Sequence, residues 1–164
     1  MNKTNLNSTF KKINFDIDLQ LSKNLLNSKI NNSNILVVGG AGTIGSSYIK
    51  QILKFKPSKI TVVDINENGL TELTRDLRSS NLLDYNPEYI TYPVNLLSDT
   101  FDKIFNSESW QVVANFSAHK HVRSEKDKIS VEALIKNNVY GAIKLLNLCE
   151  QNPPKYFFSV STDK

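Results

Sequence analysis

A glycine-rich turn between an apolar run and an amphipathic segment constrains the fold of this 164-residue chain most strongly. The turn has the G-x-x-G-x-x-G spacing and consists of Gly39, Gly40, Ala41, Gly42, Thr43, Ile44 and Gly45. Apolar residues 35–38 precede it, and apolar residues recur at helical spacing from Ile44 to Leu53. The glycines permit a tight turn, close approach of a phosphate and close helix–strand packing. Because a helix N-terminus also offers unpaired N–H donors, the motif predicts a dinucleotide site, with a ligand-free glycine turn as the alternative.

Predicted strands and helices alternate along the rest of the chain. The strands are apolar runs bounded by turn residues, at positions 35–38, 60–64, 89–94, 111–115 and 156–160. Helical spacing follows four of them, at positions 44–53, 67–80, 98–106 (with Ser98 as cap) and 130–151. In the last helix we expect a buried face of Val131, Leu134, Ile135, Asn138, Ile143, Leu145, Leu146 and Cys149. The pattern predicts an α/β fold, a Rossmann-type doubly wound parallel sheet of order 3-2-1-4-5, with ligands at the carboxyl ends of strands 1 and 4.

The first 33 residues differ from this pattern, since they are polar and rich in Asn and Lys. Their apolar residues alternate at first, at Ile13, Phe15, Ile17, Leu19 and Leu21. The alternation predicts a short strand or extended arm outside the main sheet, followed by a turn or two of helix near Leu25 and Leu26. We therefore divide the chain into a polar extension, residues 1–33, and a nucleotide-binding domain, residues 34–164.

Composition excludes several classes of protein. The single cysteine, Cys149, cannot form an internal disulfide, and with only His119 and His121 no zinc-ligand spacing exists, so we predict no metal site. Five of the 20 basic and two of the 16 acidic residues lie within the first 34 positions, so the remainder is almost neutral and a nucleic-acid partner is not expected. No apolar run approaches the ~20 residues of a membrane span, and the start lacks a signal-peptide stretch, which predicts a cytoplasmic chain.

Asp64 ends the second predicted strand, 19 residues after Gly45. An acidic residue about 20 positions beyond the glycine motif accepts hydrogen bonds from the adenosine ribose. A carboxylate there also repels a 2′-phosphate, and residues 65–68 contain no basic side chain to offset it. We therefore expect NAD rather than NADP, with Asp64 as a mere helix cap as the alternative.

Polar residues follow predicted strands 4 and 5. After strand 4, Ser117 and Ala118 are expected beside the nicotinamide ribose, and the next three residues, His119, Lys120 and His121, at the mouth of the cleft. The two histidines favour cleft lining over a metal or acid–base pair, because no third ligand is present. After strand 5, residues 161–164 place a hydroxyl, a carboxylate and an ammonium group side by side; taken alone, such a run is typical of a polar turn.

Taken together, these segments resemble the extended short-chain dehydrogenase/reductase superfamily. The resemblance covers residues 34–164 and rests on the glycine turn, Asp64, Ala-His-Lys-His-Val-Arg-Ser-Glu at 118–125, Asn-Val at 138–139 and Ser-Thr-Asp-Lys at 161–164. Within the superfamily the chain most resembles bacterial UDP-N-acetylglucosamine 4,6-dehydratases and related polysaccharide-biosynthesis proteins. The Thr-Asp-Lys sequence is the specific feature, since relatives that dehydrate dTDP-glucose carry Thr-Asp-Glu and the 4-epimerases carry only Ser or Thr there.

The resemblance implies a redox-neutral lyase that converts a UDP-sugar to a 4-keto-6-deoxy sugar with bound NAD, for surface polysaccharide biosynthesis. It implies that Lys164 removes the C5 proton, Asp163 protonates the departing C6 hydroxyl and Thr162 hydrogen-bonds near the C4 oxygen. The residues expected at the cofactor are Gly39, Ala41, Gly42, Thr43, Ile44, Gly45, Asp64, Asn95, Leu96, Ser117, Ala118, Lys120 and Asn138. Those expected at the sugar are His119, Lys120 and His121. Asn95 departs from the family, where Asp is usual near the adenine, and Asn138 is expected to support the active-site backbone.

The superfamily also uses a Tyr-x-x-x-Lys or Met-x-x-x-Lys pair on the helix after strand 5. The match at Tyr140 and Lys144 lies on the helix before strand 5, so we assign the two residues to surface and core packing. We expect the true pair and the sugar-binding lobe beyond Lys164, the present chain to be inactive alone, and the full-length protein to be a possible homo-oligomer. The alternatives are a UDP-sugar 4-epimerase, a non-catalytic NAD-binding module and a degraded gene product.

Overall fold

The computed structural model describes residues 15–119 and 127–160, which contain a five-stranded parallel sheet in the order β3-β2-β1-β4-β5. The strands are β1 (Asn34–Val38), β2 (Lys59–Asp64), β3 (Glu88–Pro93), β4 (Val112–Asn115) and β5 (Tyr156–Ser159). Each agrees with its predicted bounds to within one residue, and the predicted strand order is confirmed. The chain reverses its winding between β1 and β4, which opens a crevice at their carboxyl ends.

The helices are α1 (Phe15–Ile30), α2 (Thr43–Ile52), α3 (Glu67–Ser79), α4 (Asp99–Asn106), α5 (Lys128–Ile135) and α6 (Gly141–Gln151). A 3-10 turn, Leu53–Phe55, follows α2, and a π-helical turn, Lys136–Tyr140, joins α5 to α6. The predicted cap of α4 is confirmed, since Ser98 Oγ accepts from the N–H of Phe101. Hydrogen bonds from Ser130 to the capping Asp127 lower the pKa of that carboxyl group.

Both faces of the sheet are covered, so β1 is apolar throughout its buried length. On one face, Ile35 and Val37 join a core built with α2 and α3. On the other face, Leu36 and Val38 join a core built with α4 and α6. Burial on both faces is the physical reason for the unbroken apolar run that identified this strand.

The prediction of a strand or extended arm near the N-terminus is wrong for the described residues, because α1 is helical from Phe15 onwards. Leu26 and Ile30 pack against the core, whereas Leu21 and Leu25 are exposed. The alternating residues Ile17, Leu19 and Leu21 are 41% to 80% exposed, so the alternation does not mark a buried face. The segment does lie outside the sheet, as expected, and the division of the chain at residue 34 stays a prediction.

The predicted buried face of the helix at 130–151 is also wrong in part. Leu145 is buried, but four of the expected residues are 37% to 48% exposed, namely Val131, Ile135, Ile143 and Leu146. Leu134, Asn138 and Cys149 are half-buried. A π turn contains an extra residue, so it shifts the phase between the apolar residues of α5 and those of α6, and no α5 residue is buried.

Candidate functional site

Two glycines in the turn after β1 are required by the chain's own packing. Gly39 has a φ of +74°, and a Cβ there would lie 2.5 Å from the backbone nitrogen of Ser117. A Cβ on Gly45 would collide with the carbonyl oxygen of Gly39 and lie 2.8 Å from the Cα of Gly40. These contacts draw the exit of β1, the start of α2 and the exit of β4 into one compact junction.

Gly42 is different, because a Cβ there would meet only one heavy atom, at ordinary van der Waals distance. The nearest heavy atom to a Cβ built there is the oxygen of Gly39, at 3.5 Å. Gly42 also serves as the N-cap of α2 and supplies no side-chain cap to the helix. An approachable backbone and a helix N-terminus without a side-chain cap form a site suited to an anion.

Asp64 ties the glycine turn to the end of β2. Its Oδ2 accepts from the N–H of Ala41 at 2.9 Å, and its Oδ1 accepts from the N–H of Asn66 at 2.9 Å. A carboxylate has about four acceptor positions, so two remain for a ligand. The bond to Ala41 was not predicted, since the sequence does not show which atom of the turn a residue 23 positions away contacts.

The carboxyl ends of β1 to β4 surround a cavity of about 400 Å³. Eight of the predicted site residues line it: Gly39, Gly42, Asp64, Asn95, Leu96, Ser117, Ala118 and His119. Of the others, Ala41 bonds to Asp64, Thr43 and Ile44 form the first turn of α2, and Gly45 packs under the turn. Asn138 bonds to His119, and the last five predicted residues, Lys120, His121, Thr162, Asp163 and Lys164, lie outside the described residues.

Asn138 holds the backbone of His119 through a reciprocal pair of hydrogen bonds. Its Oδ1 accepts from the His119 N–H at 2.8 Å, and its Nδ2 donates to the His119 oxygen at 2.9 Å. Asn137 Nδ2 donates to the same Oδ1 at 3.0 Å. Both asparagines lie in the π turn, so that turn fixes the segment leaving β4.

Several residues of the cavity wall were not predicted from the sequence. Ala133, Lys136 and Asn137 line the cavity from the α5 side, and Ile65 and Leu97 line it from the exits of β2 and β3. Lys136 and Asn137 lie in the π turn, which leaves no distinct sequence signal, and Ala133 lies in α5 just before it. The last two could have been found, because each immediately follows a predicted strand end or site residue.

Asn95 and Leu96 shape the β3 side of the cavity. Asn95 Oδ1 accepts from the N–H of Leu97 at 2.8 Å, and its carbonyl oxygen accepts from the Ser98 hydroxyl at 2.7 Å. Leu96 is buried against α6, where a Cβ on Gly141 would lie 3.1 Å from Leu96 Cδ2. The Asn95 side chain therefore closes its own turn.

The Tyr-x-x-x-Lys match does not converge on the cavity. Lys144 Nζ lies 2.7 Å from Asp102 Oδ1 and donates to the Ser98 oxygen at 2.8 Å, while Tyr140 is exposed. Burial raises the pKa of the Cys149 thiol, which disfavours the thiolate. Within residues 15–119 and 127–160, no group of three or more His, Cys, Asp or Glu side chains is arranged to hold a metal ion.

The parallel sheet and the glycine turn at its reversal point define a Rossmann-type domain. Residues 35–164 match the family described as polysaccharide biosynthesis protein, and the chain belongs to that family. The resemblance inferred from the sequence is thereby confirmed. In the part of the chain that the structure describes, no helix is both long and apolar enough to span a membrane.

Curated relatives agree with this assignment. The chain is 33% identical over 133 residues to the "Uncharacterized membrane protein MJ1061" of Methanocaldococcus jannaschii, covering 79% of this chain and 36% of the relative. It is 30% identical over 138 residues to a "UDP-N-acetylglucosamine 4,6-dehydratase (inverting)" of Campylobacter jejuni, covering 82% and 37% respectively. The chain thus spans little more than a third of the length of these two relatives.

Solved structures share the fold. The "UDP-Glc/GlcNAc 4-epimerase" of Campylobacter jejuni superposes with a TM-score of 0.63 at 26% identity, covering 77% of this chain and 36% of that one. The Bordetella bronchiseptica enzyme WbmF, solved in complex with NADH, gives a TM-score of 0.60 at 19% identity over 80% of this chain and 36% of that one.

Proposed function

We propose that the chain is the NAD-binding part of a nucleotide-sugar-modifying enzyme. The observation that carries the proposal is the convergence of three features on one cavity: the open face of Gly42, the α2 N-terminus without a side-chain cap and the Asp64 carboxylate. A pyrophosphate suits the first two, because they offer N–H donors and a partial positive charge. A ribose diol suits the third, which retains free acceptor positions.

The residues around Asp64 favour NAD over NADP. Ile65 and Asn66 follow it and bring no positive charge, while Asp64 itself carries a negative one. A 2′-phosphate beside this carboxylate would meet like-charge repulsion in a partly buried setting. Bound NAD⁺ would supply a reversible hydride acceptor, so that the overall sugar conversion is redox-neutral.

For the whole protein we propose 4,6-dehydration of a UDP-sugar such as UDP-N-acetylglucosamine. Membership of the family, the name of the Campylobacter relative and the Thr-Asp-Lys sequence at 162–164 support this reaction. In the proposed roles, Lys164 removes the C5 proton, Asp163 protonates the leaving C6 hydroxyl and Thr162 binds near the C4 oxygen. Adjacent Lys and Asp stabilise each other's charged forms, so the site must retune both pKa values for one to accept and the other to donate a proton.

A UDP-sugar 4-epimerase is the second candidate, supported by the similarity to the Campylobacter epimerase structure. The two activities differ in product. A longer form of the protein, incubated with UDP-N-acetylglucosamine, is expected to give a 4-keto-6-deoxy sugar with loss of one water, whereas epimerisation gives UDP-N-acetylgalactosamine. Mass spectrometry and NMR distinguish them, and substrate returned unchanged by a longer form that binds NAD would support a non-catalytic module.

Cofactor binding is tested on the present chain by calorimetric titration with NAD⁺ and NADP⁺. We expect NAD⁺ to bind more tightly than NADP⁺. Asp64→Asn should reduce this difference in affinity, because the substitution removes the negative charge that repels the 2′-phosphate. Asp84→Asn is the matched control, since Asp84 does not line the cavity. Absence of NAD⁺ binding at millimolar concentration by the folded chain would contradict the proposal. We also expect negligible sugar turnover from this chain alone, and robust turnover would show that its site is sufficient.

A further inference from the structure

Asn115 is a buried amide in the middle of the sheet, only 5% exposed at the carboxyl end of β4. Its register partners are Val38 of β1 on one side and Ser159 of β5 on the other. The rest of β4, Val112 to Ala114, is apolar. Because a buried amide is costly unless its oxygen and nitrogen are both bonded, its partners identify its role.

The Asn115 side chain bridges two segments. Its Oδ1 accepts from the Ser117 N–H at 3.0 Å and from the Ser117 hydroxyl at 2.7 Å. Its Nδ2 donates to the Ser159 hydroxyl at 3.0 Å. One amide therefore connects the segment leaving β4 to the last residue of β5.

The two ends of this bridge differ in their relation to the cavity. Ser117 lines the cavity, and a Cβ on Gly39 would lie 2.5 Å from the Ser117 backbone nitrogen. Ser159 is exposed, is not among the lining residues and directly precedes positions 160–164, which contain Thr162, Asp163 and Lys164.

We infer that Asn115 is a positioning residue that couples the cofactor side of the site to the end of β5. The inference rests on the proposed dinucleotide site. Pairing of β4 with β5 does not require the side chain, since backbone bonds already join the strands on both sides of the pair, from Val160 N–H to the Asn115 oxygen and from Tyr156 N–H to the Gln111 oxygen. The amide adds a fixed relative placement of Ser117 and Ser159 that an apolar residue would not provide.

The test is Ser159→Ala in the present chain, with Ser159→Thr as its matched control. The alanine variant removes the β5 end of the bridge from an exposed position outside the cavity, and threonine retains the hydroxyl. We expect Ser159→Ala to accelerate hydrogen exchange at the Ser117 amide and to weaken NAD⁺ binding, each by about three- to tenfold, the effect of one hydrogen bond. Threonine should keep both values within about twofold of the wild-type chain.

The two readouts separate this inference from the proposed function. Unchanged Ser117 exchange in Ser159→Ala would overturn it, whether or not NAD⁺ binds, and so would an equal loss in Ser159→Thr. Faster exchange with unchanged NAD⁺ affinity would also overturn it, since the bridge would then serve the sheet alone. If no variant and no wild-type chain binds NAD⁺ while exchange responds as expected, the proposed function fails and the bridge from Ser159 to Ser117 stands.

Discussion

Gly42→Ala should separate binding from folding at the glycine turn. Gly42 has φ −71° and ψ 164°, an extended conformation open to any L-residue, and a Cβ there would meet nothing closer than 3.5 Å. Alanine restricts the unfolded chain, which is worth about 0.4 to 1 kcal/mol, but it is a poorer N-cap than glycine by a similar amount, so the free energy of unfolding should change by less than about 1 kcal/mol. The new methyl group nevertheless occupies the face that a pyrophosphate would approach.

The loss of affinity can be worked from one contact. If the methyl group prevents a single backbone N–H from bonding a phosphate oxygen, the cost is about 1.5 to 3 kcal/mol, typical of a hydrogen bond to a charged group. At about 1.4 kcal/mol per factor of ten, NAD⁺ should bind roughly ten- to 150-fold more weakly. Calorimetric titration measures the affinity, and urea denaturation measures the unfolding free energy of the same variant.

Gly45→Ala provides the contrast, because its Cβ would collide with backbone atoms rather than side chains. We expect that variant to lose stability by about 1 to 3 kcal/mol, as overpacked sites do. Wild-type NAD⁺ affinity in Gly42→Ala, or a loss of stability as large as that of Gly45→Ala, would refute the distinct role of Gly42.

Three further predictions concern stability. Burial raises the pKa of Tyr48 to about 12. The contribution of the protonated Tyr48 side chain to the free energy of unfolding is therefore complete below pH 10 and is lost between pH 10 and about 12. Tyr48→Phe should unfold less readily than the wild-type chain when denaturant titrations are compared at alkaline pH. Burial opposes the charge of Lys59, but its hydrogen bonds to Glu108 and Glu88 raise its pKa overall. Lys59→Met should therefore lower the free energy of unfolding by about 1 to 3 kcal/mol at neutral pH, and this loss should shrink as the pH rises above 10.5. A loss that stays constant with pH would contradict the prediction. Lys144→Met should cost about 0.5 to 1.5 kcal/mol in urea denaturation and leave NAD⁺ affinity unchanged, whereas lost affinity would place Lys144 in the site.

The sheet could be predicted because two independent features of the sequence specify where its first strand lies. Residues 35–38 are buried on both faces and lead directly into the glycine turn, so apolar pattern and backbone requirement agree. The exposed faces of α1 and α5 could not be predicted, because apolar spacing indicates a helix without showing which side finds a partner. In α1 the pattern predicted a strand, although its alternating residues Ile17, Leu19 and Leu21 are exposed on a helix.

The candidate site shows the same division. Gly39, Gly42 and Asp64 were predicted because short-range spacing encodes their positions relative to a helix N-terminus. The Ala41 bond to Asp64 and the Ser159 bond to Asn115 join residues 23 and 44 positions apart, and such pairings depend on strand register. Asn137 lines the cavity from a π turn, and a 3.6-residue period does not predict such a turn.

The crowding around two neighbouring glycines has a genetic consequence. A Cβ on Gly39 would strike the backbone of Phe116 and Ser117, so no side-chain change at a second site could make room for Gly39→Ala. A Cβ on Gly40 would instead strike the side chain of Val62, close to Ile49. In a suppressor screen, the second substitution Val62→Ala should therefore rescue Gly40→Ala. Gly39→Ala should be rescued only by reversion at its own codon.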